Sequence, residues 1–253
     1  MRENRLRTLW AEKKRATNVW LAVPAAYSAE IIAHQGFDSI TVDLQHGQSD
    51  YASMSAMLTA ISTTPTVPLV RVQWNDPGEV MRALDAGAYG VICPTINNRA
   101  EAERFVGACR YAPIGYRSVG PNRAALYAGG GDYLAKSNET VLAIAQIETA
   151  DGLKNVEEIA SVKGLDMLYV GPSDLGLSMG YQPRMDTSEP AVVAAIDKVL
   201  ATAHAHGLTA GIYCISLDYA NAMFAKGFDL VTVASDAGLI AAGAVGVKRV
   251  IKP

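Results

Sequence analysis

The sequence predicts an α/β chain folded as a single (β/α)8 TIM barrel, and three observations carry that prediction. Its 253 residues match the ~250 of one barrel and fall short of two large domains. Short aliphatic runs alternate with helical patterns along the whole chain, with no long linker between them. Several of these runs are continuous and stop at polar residues before a turn and a helix, as parallel strands buried on both faces do.

Composition narrows the function classes. Half of the residues are hydrophobic and the formal net charge is −3, which provides a sizeable core and no basic surface for nucleic acid. The three cysteines, Cys93, Cys109 and Cys214, lie far apart in neither disulfide nor zinc spacing, so a reducing cytoplasm is the expected compartment. The basic N-terminus, MRENRLRTLWAEKKR, is followed by no apolar signal core. No run approaches the ~18 apolar residues of a membrane span.

Taken in order, residues 2–15 read as a short amphipathic helix covering one end of the barrel. Strand one is TNVWLA, residues 17–22, and its helix over residues 28–35 stops at Gly36. Strand two, residues 37–42, ends in Asp43-Leu44-Gln45-His46-Gly47, and residues 51–62 are helical. Strand three, residues 66–70, ends in Arg71; the Asn75-Asp76-Pro77 start signal then opens a helix over residues 78–85. Strand four covers residues 89–93 and its helix residues 99–110. Residues 112–137 are an irregular insertion containing PIGYRSVGPNR and GGGDY, and long ordered loops of this kind tend to be lids or binding loops. Strand five, residues 141–147, stops at Glu148, with a helical pattern from Asp151-Gly152 onward. Strand six, residues 167–170, stops at Gly171-Pro172-Ser173-Asp174. A helix over residues 189–206 precedes strand seven, 209–213, and its helix, 217–225. Strand eight, 229–233, leads to the closing helix, 236–247, whose alanine-rich sequence has little polar face and must be buried somewhere.

Polar groups collect at the carboxyl ends of these strands: Asp43, His46, Arg71, Gln146, Glu148 and Asp174. That end is where barrel enzymes place their chemistry. Two carboxylates at neighbouring strand ends repel each other, and a hard divalent cation with open positions for water and substrate is the simplest partner. Helix capping alone, a loop histidine and a salt-bridging arginine are the bland readings of Glu148 and Asp174, His46 and Arg71 taken singly; their convergence argues against these. Arg110, Arg117 and Arg123 with Asn122 suggest either an anion site or a solvated loop. No lysine falls at a strand end, which disfavours a Schiff-base route.

The blocks FDSITVDLQHG, PLVRVQWNDPGEVMRALDAGAYGVICP, RYAPIGYRSVGP, AIAQIETADGLKNVEEI and LYVGPSDLGLSMGY resemble the metal-dependent (class II) pyruvate aldolases of the HpcH/HpaI group, which includes 4-hydroxy-2-oxoheptanedioate and 2-dehydro-3-deoxyglucarate aldolases. The resemblance runs from about residue 20 to 241. It implies Glu148 and Asp174 as ligands of Mg2+, Mn2+ or Co2+, Arg71 at the keto oxygen, and His46 with Asp43 as the acid/base pair. Gln146 would lie near the oxo acid, whose carboxylate would sit on the Gly171, Pro172, Ser173 and Asp174 backbone at a helix start. Trp20 and Ile212 match wall positions, and Asp85 matches an acid that reaches a neighbouring subunit's site. Gln45 stands where many members have Glu, and Ser118 where Gly is common, which places substrate choice furthest from analogy. The implied reaction is reversible cleavage of 4-hydroxy-2-oxo acids to pyruvate or hydroxypyruvate and an aldehyde. The implied assembly is a homohexamer, a dimer of trimers, with the last helix exchanged between subunits. Malyl- or citramalyl-CoA lyase chemistry and a non-catalytic oxo-acid-binding barrel are the alternatives.

Overall fold

Eight parallel strands close on themselves in sequence order, β8 returning to β1, in a computed structural model that describes residues 1–128 and 132–251. The strands are β1 (Ala16–Leu21), β2 (Ser39–Asp43), β3 (Val67–Arg71), β4 (Gly90–Cys93), β5 (Leu142–Ile147), β6 (Met167–Val170), β7 (Thr209–Tyr213) and β8 (Leu230–Ser235). The first five helices are α1 (Arg5–Ala11), α2 (Ala26–Ala33), α3 (Tyr51–Ile61), α4 (Pro77–Asp85) and α5 (Arg99–Cys109). They are followed by α6 (Tyr133–Thr140), α7 (Ala150–Lys154), α8 (Val156–Ala160), α9 (Pro172–Ser178), α10 (Pro190–Ala205), α11 (Leu217–Lys226) and α12 (Asp236–Val250). This is the (β/α)8 barrel that the alternation predicts. Among the described residues no helix is long and apolar enough to cross a membrane.

Strand parity divides the core in two. One set of side chains, including Val19, Leu21, Val42, Val70, Ala145, Val170 and Ile212, packs outward against the helices. The alternate set, including Trp20, Leu69, Ile92, Ile144, Met167, Tyr169 and Leu230, fills the barrel. Within the barrel lies a polar layer. Asn18 donates to Thr232 Oγ1 at 2.8 Å and accepts from the Ser39 and Thr41 hydroxyls, while the Tyr169 and Thr232 hydroxyls pair at 2.6 Å. Each of these buried polar atoms therefore has a partner, which keeps the layer from destabilising the core.

Local signals place the helices. Asp50 and Ser53 form a reciprocal cap on α3, Asp76 caps α4 ahead of Pro77, and Ser235 caps α12. Helix α1 is shorter than expected because Asn4 caps it, its side chain accepting from Leu6 N; Leu6 is fully buried and closes the end of the barrel away from the strand tips. The insertion is more regular than its sequence suggests. It contains a 3-10 turn over Ala124–Ala128 and α6, and its Gly129, Gly130 and Gly131 lie outside the described residues. Asn138 of α6 holds the Tyr111 backbone at both N–H and C=O, with bonds of 2.7 and 3.1 Å. Helix α12 buries only Asp236, whose carboxylate accepts from the Ala22 and Val23 amides; Ile240, Val247 and Val250 are exposed.

Candidate active site

Asp43 and Arg71 are the last residues of β2 and β3 and stand opposite each other in the ladder. Arg71 Nε donates to Asp43 Oδ1 at 2.8 Å and Nη2 to Oδ2 at 2.7 Å, a two-pronged contact that fixes the guanidinium plane. The guanidinium carbon also lies 4.9 Å from the Trp20 ring. Burial pushes the Asp43 carboxyl up, but Arg71, aided by Trp20 and the Gln45 amide, outweighs it and holds the group below the usual range. Asp43 is thus the partner of Arg71. The exposed His46 side chain lines the same cavity as Asp43 and Arg71.

Glu148 follows β5 directly and is buried. Its Oε1 accepts from Thr95 N at 2.8 Å and Thr95 Oγ1 at 2.9 Å, and its Oε2 from Gln146 Nε2 at 2.5 Å. Gly171 makes this packing feasible, since a Cβ there would meet Glu148 Oε2 at 2.7 Å and Gln146 Nε2 at 2.8 Å. Asp174, exposed on the first turn of α9, faces the same cavity. Burial raises the Glu148 carboxyl above its ordinary value; the Thr95 hydroxyl opposes that shift and the charge of Asp174 adds to it. A second anion beside a buried acid is the electrostatic condition that a cation relieves. Among the described residues no group of three or more His, Cys, Asp or Glu side chains could hold a metal. Two carboxylate ligands leave positions for water and substrate, which suits a hard divalent cation. The residues fit such an ion.

Two adjoining cavities of about 300 and 220 Å³ share His46 and Asp174. The first also takes in Gln45, Thr95 and Glu148; the second runs past Trp20, Asp43, Arg71, Gln146 and Gly171 to Tyr169, Met185, Tyr213 and Ser235. Ile212 is not among these residues. It is fully buried on the outward face of β7, and Tyr213 forms the wall in its place, its ring 5.4 Å from that of Trp20. Strand parity was the signal that identifies Tyr213: Gln146, Tyr169 and Gly211 are in register and point inward, so Ile212 must point outward. Thr95, Tyr169, Met185 and Ser235 were also missed, because turns and register bring them in from loops and strands distant in sequence.

Several expected residues stand elsewhere. Pro172 is buried in the first turn of α9 and has no N–H to offer, and neither it nor Ser173 lines either of these two cavities. Asp85 ends α4 and pairs with Arg117 at 2.6 Å within the same chain, and the exposed Ser118 follows that arginine. Ser118 lines neither cavity, and Asp85, expected at a neighbouring subunit's site, lies outside this chain's own. The loop arginines form no anion site. Arg117 is sandwiched by Tyr111 and Tyr133, Arg110 pairs with Asp166, and Arg123 donates to Ala86 O and Tyr127 Oη.

The barrel's strand tips carry two carboxylates, Glu148 and Asp174, beside a guanidinium clamped by a third, Asp43, the place where barrel enzymes hold their chemistry. The chain belongs to the HpcH/HpaI aldolase/citrate lyase family, whose model matches residues 16–242, and it is an aldolase-type lyase. A hydroxypyruvate/pyruvate aldolase from Rhizorhabdus wittichii is 44% identical over 241 residues, covering 95% of this chain and 96% of that protein. A 4-hydroxy-2-oxo-heptane-1,7-dioate aldolase from Shigella flexneri is 35% identical over 228 residues, covering 89% and 85%. The crystal structure of an HpcH/HpaI aldolase/citrate lyase family protein from Burkholderia cenocepacia superposes with a TM-score of 0.90 at 33% identity, covering 98% of this chain and 99% of that one.

Proposed function

We propose that the protein catalyses divalent-metal-dependent, reversible aldol cleavage of 4-hydroxy-2-oxo acids, yielding pyruvate or hydroxypyruvate and an aldehyde. The observation that carries this reading is the placing of Glu148 and Asp174 on one cavity beside an Arg71 whose direction Asp43 sets. Glu148 and Asp174 would hold the ion, Mg2+, Mn2+ or Co2+. Bound there, it supplies Lewis acidity toward the oxo and carboxylate oxygens of the substrate. Arg71 contributes a preoriented positive charge where negative charge gathers on the 2-oxo oxygen as the C3–C4 bond breaks. His46 takes the 4-hydroxyl proton, directly or through water, and returns a proton to C3 once the aldehyde has left; such help is worth roughly 10²–10⁴-fold. Gln146, whose Oε1 is buried without a partner, is available to the bound oxo acid. Trp20, Tyr169 and Tyr213 exclude water from the reacting end.

The exposed apolar side of α12 supports assembly into a homo-oligomer that covers it. A CoA-thioester substrate is disfavoured because Arg110, Arg117 and Arg123 already have protein partners and offer no basic surface for its phosphates. Pyruvate release from a 4-hydroxy-2-oxo acid, coupled to reduction by a lactate dehydrogenase, tests the reading. Turnover should stop with chelator and in Glu148→Ala and return to the wild type with added Mn2+; chelator-insensitive turnover would defeat it.

A further inference from the structure

We infer that Thr95 is a positioning residue for the metal-binding carboxylate, its hydroxyl and amide together leaving Glu148 Oε2 as the oxygen with a lone pair to give. The inference rests on the reading of Glu148 as a metal ligand. A carboxylate oxygen offers two lone pairs. Thr95 N and Oγ1 both donate to Oε1, at 2.8 and 2.9 Å, and so occupy that oxygen. Among the described residues Oε2 accepts one hydrogen bond, from Gln146 Nε2, and so keeps a lone pair, while Glu148 lines the cavity that Asp174 also faces.

The backbone shows how closely Thr95 is specified. It lies in the left-handed region, φ 54°, where a β-branched residue is a real outlier. The surrounding loop over-determines that conformation. Asn97 Nδ2 donates to Thr95 O at 3.0 Å, Asn97 N to Glu101 Oε2 at 2.8 Å, and Asn155 Nδ2 to Asn97 O at 2.8 Å, while Thr149 Oγ1 meets Asn97 Oδ1. Glycine or asparagine would adopt this backbone more easily. Neither supplies a hydroxyl beside the amide, and a hydroxyl held there is what the strain secures. Loss of such a partner to a metal ligand typically costs 10–100-fold in metal affinity or activity.

The experiment is a calorimetric Mn2+ titration of metal-depleted full-length wild type, Thr95→Val, Thr95→Ser, Thr95→Gly and Glu148→Gln, with melting temperatures and kcat and KM alongside. Thr95→Val, which keeps shape and amide, should bind Mn2+ about 10-fold more weakly and lose kcat in step. Thr95→Ser should bind as wild type does. Thr95→Gly should weaken binding as Val does while melting roughly 2–4 °C higher in the metal-free state, since relief of the strained backbone separates stability from ligand positioning. Wild-type Mn2+ affinity in Thr95→Val, or in a Thr95→Gly protein that melts lower, would place the residue in the fold alone and overturn the inference. An isotherm unchanged by Glu148→Gln would instead overturn the metal reading beneath it.

Discussion

Replacing Asp43 with Asn leaves Arg71 charged, buried and without its counter-ion. The two side chains of the pair are only 10% and 4% exposed, so solvent screening gives little relief. Removing one partner of a buried pair costs roughly 3–5 kcal/mol because the other charge stays uncompensated. At ~2–4 °C per kcal/mol for a chain of this size, the melting temperature should fall by roughly 6–20 °C. The assay is thermal unfolding at fixed protein concentration for Asp43→Asn, Arg71→Met and the double variant. The double variant should recover most of the loss, since two neutral side chains leave no stranded charge. The pair also predicts a pH dependence. With the Asp43 carboxyl below its ordinary value in the folded state, its contribution is complete above the ~3.9 of an unfolded aspartate and disappears as pH falls through the lower folded value. Asp43→Asn should therefore flatten the acid limb of the stability curve. A loss below about 1 kcal/mol, the range of exposed pairs, would refute the claim that this contact is a desolvated clamp on Arg71.

Gly171→Ala should fold but lose turnover by on the order of 10²-fold, because its Cβ would press on Glu148 Oε2 at 2.7 Å; kcat set beside an unchanged circular dichroism spectrum checks this. Ile212→Ala should cost roughly 2–5 kcal/mol with little change in KM, whereas Tyr213→Ala should alter KM and the range of aldehydes accepted; reversal of these two profiles would disprove the strand parity. Glu148→Gln should stabilise the metal-free protein at neutral pH. The buried carboxyl titrates above its ordinary value when folded, so stability declines as pH rises from the unfolded value through the folded one, and a neutral side chain escapes that decline. Gln146 can turn its unpartnered Oε1 toward the new amide. Burial pushes Cys109 and Cys214 up to about 12 and Cys93 well above its ordinary value, so a thiol reagent should label none of the three in the native protein near pH 8 and all three after denaturation.

The barrel was legible because each strand is a local event: a short aliphatic run, a polar stop, a turn and a capped helix. Asp76 before Pro77 and Asp50 before Tyr51 mark their helices within a few residues. Glu148 and Asp174 could be named for the same reason, each standing just beyond a run of buried residues. The insertion resisted because its order comes from Arg117 between Tyr111 and Tyr133 and from Asn138 on Tyr111, contacts that no periodicity records. Of the two wall positions implied by resemblance, Trp20 lines the cavity and Ile212 does not. Ile212 is one position from the inward face, and with a side-chain period of two, one position reverses the direction.

Local order thus settled the class of fold, the strand order and the end of the barrel where acidic groups gather, since these follow from hydrophobic pattern and the parallel βα repeat. Tertiary structure alone decided that Asp43 clamps Arg71, that Tyr213 rather than Ile212 walls the cavity, and that Thr95 holds Glu148. Those outcomes depend on ladder register and on atoms 2.7–2.9 Å apart across tens of residues of chain. A linear pattern contains no such distance, because closing the barrel is what creates it.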